Sequence, residues 1–459
     1  MSSTYETAGR RTAAAAPAGV RRGAAHWLVR VALVAGGFAA CGFWWFAPVS
    51  APLNAPGPVL TAAGRLAGLL GAYLALVQLL LLARLPWLEH AVGFDRLTAW
   101  HRGLGTNVVV LLVTHVLLVT AGLSFTEHHA PWSAAVEIIT TYPDIILALI
   151  GMGLFLVVAI TSARFARRHL SYEAWYLVHV SAYLAVALAF FHQISSGGDF
   201  ITDPAARAMW IALYAAVASS VTWWRLVVPV RRWFRHAITV DKVVRETPDT
   251  VSVWLRGHDL DGLAARPGQF LLWRFVTVGH VWSAHPYSLS APVLRNRMRI
   301  TVKDAGDHSA RLARLRRGVP VFAEGPFGHF TADTRRLGPV LLISGGSGIA
   351  PIRALAEQLL RERADVVLLH RASTPDVPLR AELDAMAAKG LTVHYVIGRR
   401  TERRGDPLAP GPLRRLVPDL GQRSIYVCGP AGMTTTVLAS LRRLGVPPSH
   451  IHTEEFSLR

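Results

Sequence analysis

Apolar residues are spread unevenly along this chain. Up to about residue 228 they form long runs separated by short polar stretches; beyond it they recur at strand and helix periods. The runs at 27–46, 62–83, 103–122, 143–162, 175–194 and 207–228 are each long enough, at about 20 residues, for a helix to cross roughly 30 Å of hydrocarbon. From residue 236 the pattern changes. "AITVDKVVRETPDTVSVWLRG" reads as two strands and a turn, and "GQFLLWRFV" and "MRITVKDAG" as further strands, which together predict a small antiparallel barrel. From residue 339, "GPVLLISGGSGIAPIRALAEQLL" followed by "DVVLLHRA" reads as strand, Gly-rich turn, helix and strand. This opens a parallel, doubly wound sheet, to which "SIYVCGPAGM" adds a later strand with its own glycine turn. The expected fold class is a six-helix transmembrane bundle followed by an antiparallel β-barrel domain and a parallel α/β nucleotide-binding domain. The expected bounds are a tail at 1–24, the membrane domain at 25–230, the barrel at 236–335 and the α/β domain at 336–459.

Composition agrees with a membrane protein: of 459 residues 52% are hydrophobic and 17% charged. The two cysteines, Cys41 and Cys428, exclude a disulfide scaffold and a four-cysteine iron–sulfur cluster made by this chain alone. A formal charge of +19 would suit a nucleic-acid partner, but much of the arginine lies beside the apolar runs, where it orients helices and meets anionic lipid. Arg10, Arg11, Arg21 and Arg22 precede the first run, Arg84, Arg96 and Arg102 join the second to the third, Arg164, Arg167 and Arg168 precede the fifth, and Arg231, Arg232 and Arg235 follow the sixth. The opposite connections, 47–60, 123–142 and 195–206, hold no Lys or Arg, although Arg65 and Arg207 lie just inside the neighbouring runs. Both ends of the chain are therefore expected in the cytoplasm. The first run is long and no small-residue cleavage site follows it, so a cleaved leader is not expected.

Within this frame four histidines stand out. The third run contains His101 and His115, and the fifth contains His179 and His192. The two runs cross in the same direction, so His101 matches His179 in depth and His115 matches His192. At 1.5 Å per residue, His101 and His115 lie about 21 Å apart along the axis. Two imidazole pairs at two depths fit two stacked haems, each held by one histidine from each helix, an arrangement that passes single electrons. Interhelical hydrogen bonds, channel lining, zinc or a proton relay are the alternatives. The phase is awkward: a 13-residue spacing turns His192 about 140° from His179 in an ideal helix. Either a bulge in the fifth run or an offset between the two haems is required. His128 and His129 fall on an outer connection and read as solvated.

A glycine-rich turn after a strand presents backbone N–H groups to a pyrophosphate. "GGSG" lacks the full G-x-G-x-x-G fingerprint and is weak alone. Taken in order, however, "HPYSLS" (285–290), "EGPFGHF" (324–330), "GGSGIAP" (345–351) and "CGP" (428–430) resemble the FAD and nicotinamide modules of the ferredoxin–NADP reductase superfamily. Preceded by the four histidines, the whole resembles the ferric reductase and NADPH oxidase family of transmembrane cytochromes b, over about residues 25–459.

The resemblance implies a cofactor set of FAD, two b-type haems and NADPH or NADH, with His101, His115, His179 and His192 as metal ligands. It implies that His285, Pro286, Tyr287 and Ser288 line the flavin, with Tyr287 against the ring and Ser288 near its reactive edge, and that Ser309 meets the FAD pyrophosphate. Gly345, Gly346, Gly348 and Pro351 would shape the nicotinamide-dinucleotide turn, and Cys428, Gly429 and Pro430 would border the nicotinamide, Cys428 and Ser288 being the catalytic candidates. Phe456 occupies the place where relatives put an aromatic over the flavin, but three residues follow it. Arg371, after the second sheet strand, suits the 2′-phosphate of NADPH, with Arg399 and Arg400 nearby, and no acidic residue directly follows that strand to hold a ribose diol. The implied partners are the bilayer, NAD(P)H and a small extracellular acceptor, namely dioxygen, a ferric chelate or a quinone, with no nucleic acid. No EF-hand pattern is present. Two other readings remain: a membrane-anchored flavin reductase without haem, and a nucleotide-regulated transport protein.

Overall fold

The computed structural model describes residues 18–46, 54–277, 284–304, 306–336, 338–398 and 406–455. The first half is helical: α1 (Ala18–Phe46), α2 (Pro56–Leu81), α3 (Pro86–Val92), α4 (Phe94–Glu127), α5 (Pro131–Thr141), α6 (Ile145–Ser162), α7 (Arg164–Arg167), α8 (Tyr172–Ser196), α9 (Gly198–Thr202), α10 (Pro204–Thr222) and α11 (Val228–His236), with a π-helical turn at Trp223–Val227 between the last two. Proline within the first two positions starts α2, α3, α5 and α10, where its missing N–H costs nothing. Ser171 caps α8 by accepting from the Ala174 amide, and Asp203 caps α10 by accepting from Ala205 and Ala206.

Five helical segments among the described residues are long and apolar enough to cross a membrane: Pro56–Leu81, Arg96–Glu127, Ile145–Ser162, Glu173–Ser196 and Pro204–His236. The expectation of six is corrected at the first run. The described apolar stretch of α1, His26–Gly42, falls short of the 18 residues the others reach. Arg30 lies within it, over the rings of Trp27 and Trp100 at 5.6 and 5.2 Å. The outward faces carry Val110, Leu117, Ile146, Ile150, Leu184 and Phe191, an apolar belt that a bilayer covers. The chain is a multi-pass membrane protein.

Close approach between α2 and α4 rests on glycine. A Cβ at Gly64 would meet Val119, one at Gly71 would meet Leu112, and Gly57 and Gly122 face Thr126 and Thr61. On the other side α8 packs along α6, whereas α4 and α8 barely touch. A slot therefore runs between α4 and α8.

The second half begins with two three-stranded antiparallel sheets. One has the order β1 (Thr239–Thr247), β2 (Thr250–Arg256), β5 (Arg297–Lys303); the other has the order β4 (His285–Ser288), β3 (Phe270–Phe275), β6 (Val321–Phe327). Leu255, Trp273, Phe275 and Ile300, all fully buried, belong to their shared core. The expected barrel is seen as this pair of sheets, joined by isolated bridges at Thr239–Pro320 and Leu289–Ile300 and by backbone bonds from Val321 to Ile238 and from Ser290 to Arg299; among the described residues no single sheet closes on itself.

After α12 (Asp307–Leu312) comes a parallel five-stranded sheet of order β11-β10-β7-β8-β9. Its strands are β7 (Val340–Gly345), β8 (Val366–Ala372), β9 (Leu391–Ile397), β10 (Ser424–Gly429) and β11 (Ile451–Glu455), and its helices are α13 (Ile349–Arg361), α14 (Arg380–Ala387), α15 (Pro410–Leu416) and α16 (Ala431–Arg443). Strand order reverses between β7 and β10, which opens a crevice at their carboxyl ends.

Candidate functional site

The four membrane histidines meet in two pairs across the α4–α8 slot. The ring centres of His101 and His179 lie 5.9 Å apart, and those of His115 and His192 lie 6.4 Å apart. With about 2 Å for a metal–imidazole bond and about 1 Å more to each ring centre, two axial imidazoles on one metal stand about 6 Å apart. Both pairs match that separation. α8 is α-helical throughout, so no bulge corrects the 13-residue phase, and the two pairs are instead offset around the helix.

Hydrogen bonds settle which ring nitrogen is free. His115 Nδ1 lies 2.8 Å from the Gly64 carbonyl and His101 Nδ1 lies 3.3 Å from the Gln78 carbonyl. A carbonyl only accepts, so each Nδ1 carries the proton and each Nε2 keeps a lone pair, as a metal ligand requires. Gln78 returns a bond from Nε2 to the His101 carbonyl at 3.1 Å. On α8, His179 Nδ1 lies 3.2 Å from Ser162 Oγ, which also accepts from Trp175 Nε1 at 3.2 Å. The Trp175 ring stacks on His179 at 4.8 Å. His192 Nδ1 makes no hydrogen bond of ordinary geometry and faces the Ala189 carbonyl one turn back. A Cβ at Gly68 would sit 2.7 Å from His115 Nδ1, so glycine makes room for that ring. No group of three or more His, Cys, Asp or Glu gathers among the described residues. What the described residues offer is two pairs of facing imidazoles.

The flavin candidates lie on β4, paired antiparallel with β3 so that Tyr287 faces Leu271 and Ser288 faces Phe270. Trp273 Nε1 donates to the Tyr287 carbonyl at 2.9 Å, and the rings of His285 and Tyr287, two apart on one strand face, are nearly parallel at 18°. Burial pushes the Tyr287 phenol up, so it stays neutral. Ser288 is 4% exposed and its Oγ has no hydrogen-bond partner among the described residues. A buried hydroxyl left unsatisfied has room for one more hydrogen-bonding atom. Pro286 completes the strip opposite Leu272. Ser309, in the first turn of α12, has its Oγ 2.8 Å from the Gly306 carbonyl and 3.2 Å from Asp304 Oδ1.

At the crevice the two glycine turns fit face to face. A Cβ at Gly348 would collide with the Cys428 carbonyl oxygen, and those at Gly345 and Gly429 would collide with Met433. Gly346 has φ +55, a left-handed conformation that favours glycine, and Pro351 lies in the first turn of α13. Pro430 immediately precedes α16. Gly348→Ala is expected to raise the KM for the nicotinamide nucleotide at least about tenfold, since backbone must move to admit the methyl, while flavin content stays unchanged. Steady-state kinetics on both nucleotides checks this; a wild-type KM would mean that the turns separate at no cost.

Cys428 is fully buried, in the same core cluster as Phe330, Ile349 and Tyr426. Burial, with the Glu454 carboxylate opposite it on β11, pushes its thiol well above the usual range, so it is a neutral group and no thiolate. Arg371 meets an acid that the sequence does not place there: its Nη1 is 3.8 Å from Asp406 Oδ1. Phe456, Arg399 and Arg400 lie outside the described residues.

Sequence reasoning missed the groups that hold these pieces in place: Gln78, Ser162, Trp175, and a buried clamp between the antiparallel sheets and the parallel sheet. In the clamp Arg299, 1% exposed, donates to both oxygens of Glu382 at 2.5 and 3.0 Å and to the Ser290 carbonyl at 2.8 Å. Arg353 on α13 reaches the same carboxylate at 2.7 Å. The one sequence signal was Ser290, the last residue of "HPYSLS".

Residues 67–190 match the family described as "Ferric reductase like transmembrane component", and residues 342–438 match the "Oxidoreductase NAD-binding domain". The chain is 30% identical over 174 residues to ferredoxin–NADP reductase B of Sorangium cellulosum, covering 34% of this chain and 70% of that one. It is 28% identical over 239 residues to the glycine betaine monooxygenase reductase subunit of Chromohalobacter salexigens, covering 48% of this chain and 64% of that one. A solved structure described as the ferredoxin reductase in carbazole 1,9a-dioxygenase superposes with a TM-score of 0.42 at 24% identity, over 48% of this chain and 68% of that one. The chain spans just under two thirds of the length of several of the curated relatives it matches.

Proposed function

This chain belongs to the ferric-reductase-like transmembrane proteins fused to a ferredoxin–NADP reductase-type FAD and NAD(P)H module, and from that premise we propose that it takes electrons from NAD(P)H on one face of a membrane and delivers them singly to an acceptor on the other. FAD and b-type haem, when bound, supply the conversion of a two-electron hydride into single-electron transfers. The chain's own residues bind and align. The turn at 345–351 receives the dinucleotide phosphates, and Gly429 and Pro430 border the nicotinamide with the neutral thiol of Cys428 behind them. Tyr287 covers the flavin ring, His285 and Pro286 flank it, Ser288 hydrogen-bonds its edge, and Ser309 meets its pyrophosphate. His101 and His179 hold the haem nearer the soluble half; His115 and His192 hold the farther one. The arginine-rich connections support a cytoplasmic soluble half. The acceptor is a small one-electron oxidant on the opposite face, dioxygen or a ferric chelate.

The observation that carries this reading is the pairing of histidines at two depths, each pair at axial-ligand spacing with the ligating nitrogen free on α4. A second reading, a membrane-anchored flavin reductase without haem, is supported by the curated relatives, which are named as reductases and match half of this chain or less. An anaerobic difference spectrum of the detergent-purified protein after NADPH addition separates the two. Six-coordinate b-type bands at two haems per chain are expected; flavin bleaching with no haem bands would leave the second reading.

Arg371 sets the nucleotide preference, as a guanidinium beside the adenosine ribose. Arg371→Ala is expected to raise the KM for NADPH about tenfold or more and leave that for NADH nearly unchanged, the loss of about 1.4 kcal/mol or more of a charge-assisted contact. Equal changes for the two nucleotides would remove the 2′-phosphate from its role.

A further inference from the structure

The stretch 324–330, which runs from β6 into the loop after it and is one of those that resemble the reductase modules, rests on the membrane half. Arg84, between α2 and α3, lies 4.5 and 4.7 Å from the ring centres of Phe94 and Phe327, which stack on each other at 5.7 Å. Its guanidinium pairs with Glu89 at 3.6 Å and with Glu324 at 3.9 Å. Arg225, from the π-helical turn, reaches the same Glu324 at 3.9 Å, Arg232 donates to the Gly325 carbonyl at 2.5 Å, and Trp233 stacks on Phe322 at 3.9 Å. Arg84 holds φ +67, an uncommon conformation for a residue with a Cβ. A planar guanidinium can stack on ring faces while its edge donates to carboxylates; an ammonium has no such plane. The contact is also wired to the flavin strip: β6 pairs with β3, and β3 pairs with β4, the strand of Tyr287 and Ser288.

We propose that Arg84 is a positioning residue that docks the antiparallel sheets on the membrane helices and thereby sets the flavin edge against the His101–His179 pair. The inference rests on the reading that electrons leave the flavin for the membrane histidines. Arg84 touches neither nucleotide turn, so its effect falls on the step after flavin reduction.

The test uses the full-length protein in detergent. It follows flavin bleaching by NADPH, onward reduction of the membrane centres, and hydrogen exchange of 86–94 and 321–330. In Arg84→Met, flavin bleaching is expected within about twofold of wild type, onward transfer slower by about tenfold or more, and exchange faster in both segments. Arg84→Lys, which keeps the charge but not the plane, is expected to fall between, and it carries the test if the methionine variant does not fold. Unchanged exchange in both variants overturns the proposal, as does equal slowing of both electron steps. If the wild-type chain passes no electrons beyond flavin, the electron-path reading fails separately, and exchange alone decides the docking role: faster exchange upholds it and unchanged exchange overturns it.

Discussion

His115→Leu is expected to lower haem content from two per chain to one, to leave NADPH-driven flavin bleaching intact, and to cut reduction of an acceptor on the far face by at least about 10²-fold. Leucine suits this test because it fills the slot beside Gly68 with apolar volume and keeps the helix propensity of α4. The Gly71 and Gly122 approaches between α2 and α4 do not involve the imidazole, so they should hold the bundle together when the bond from His115 Nδ1 to the Gly64 carbonyl is lost. What is lost is a nitrogen whose partner, His192, stands across the slot at axial spacing. His101→Leu should instead block electrons at their entry, leaving the flavin reduced and the membrane centres oxidised. Optical spectra with a pyridine haemochrome assay measure both variants. If His115→Leu leaves haem content and acceptor reduction at wild-type values, the His115–His192 pair is an interhelical contact and no ligand set.

Glu382→Ala is expected to lower the stability of the soluble half by about 3 kcal/mol, at the low end for breaking a buried ion pair because Glu382 is itself about one-third exposed. The penalty falls on Arg299, which is almost wholly buried and keeps its bonds to Ser290 and its place 4.9 Å from the Trp254 ring, but loses its counter-charge. Thermal unfolding of the detergent-solubilised chain, read by flavin release, should begin several degrees lower. Replacing both partners by apolar residues, Arg299→Met with Glu382→Leu, should recover most of the loss; failure to recover would mean that the bonds, and not the stranded charge, carry the stability. The pH dependence follows with a definite sign. Burial alone would raise the Glu382 carboxyl, but hydrogen bonds and charge from Arg299, with Arg353, outweigh it and hold the group below the usual carboxylate range. A depressed folded pKa contributes stability that is fully present above the unfolded value of about 4.3 and is lost as pH falls through the folded one. Between pH 6 and 8 the clamp should therefore make no pH-dependent contribution, and its loss should appear only in acid.

Much of this architecture follows from local pattern. The long apolar runs, the strand–turn–helix at 339–361 and the glycine turns at 345–348 and 428–430 are set by residues close in sequence, whose periodicity and backbone freedom act within one element. The four histidines were legible because a helix in a bilayer converts sequence distance into depth. Other features escaped that logic. Whether two antiparallel sheets close into a barrel depended on the few pairs at their corners. The burial of Cys428 depended on which face of a parallel strand meets the helices.

By itself, the sequence determined that a membrane-spanning half precedes a nucleotide-binding half, and that four imidazoles lie at two depths, because hydrophobic period and helical rise are properties of contiguous residues. Only the tertiary structure decided that Ser162 and Trp175 orient His179, that Asp406 meets Arg371, that Glu382 neutralises Arg299 and that Arg84 grips β6 at Glu324. Each of these pairs joins residues from different elements, and a pairing between elements is chosen by how their faces pack, which no local pattern encodes.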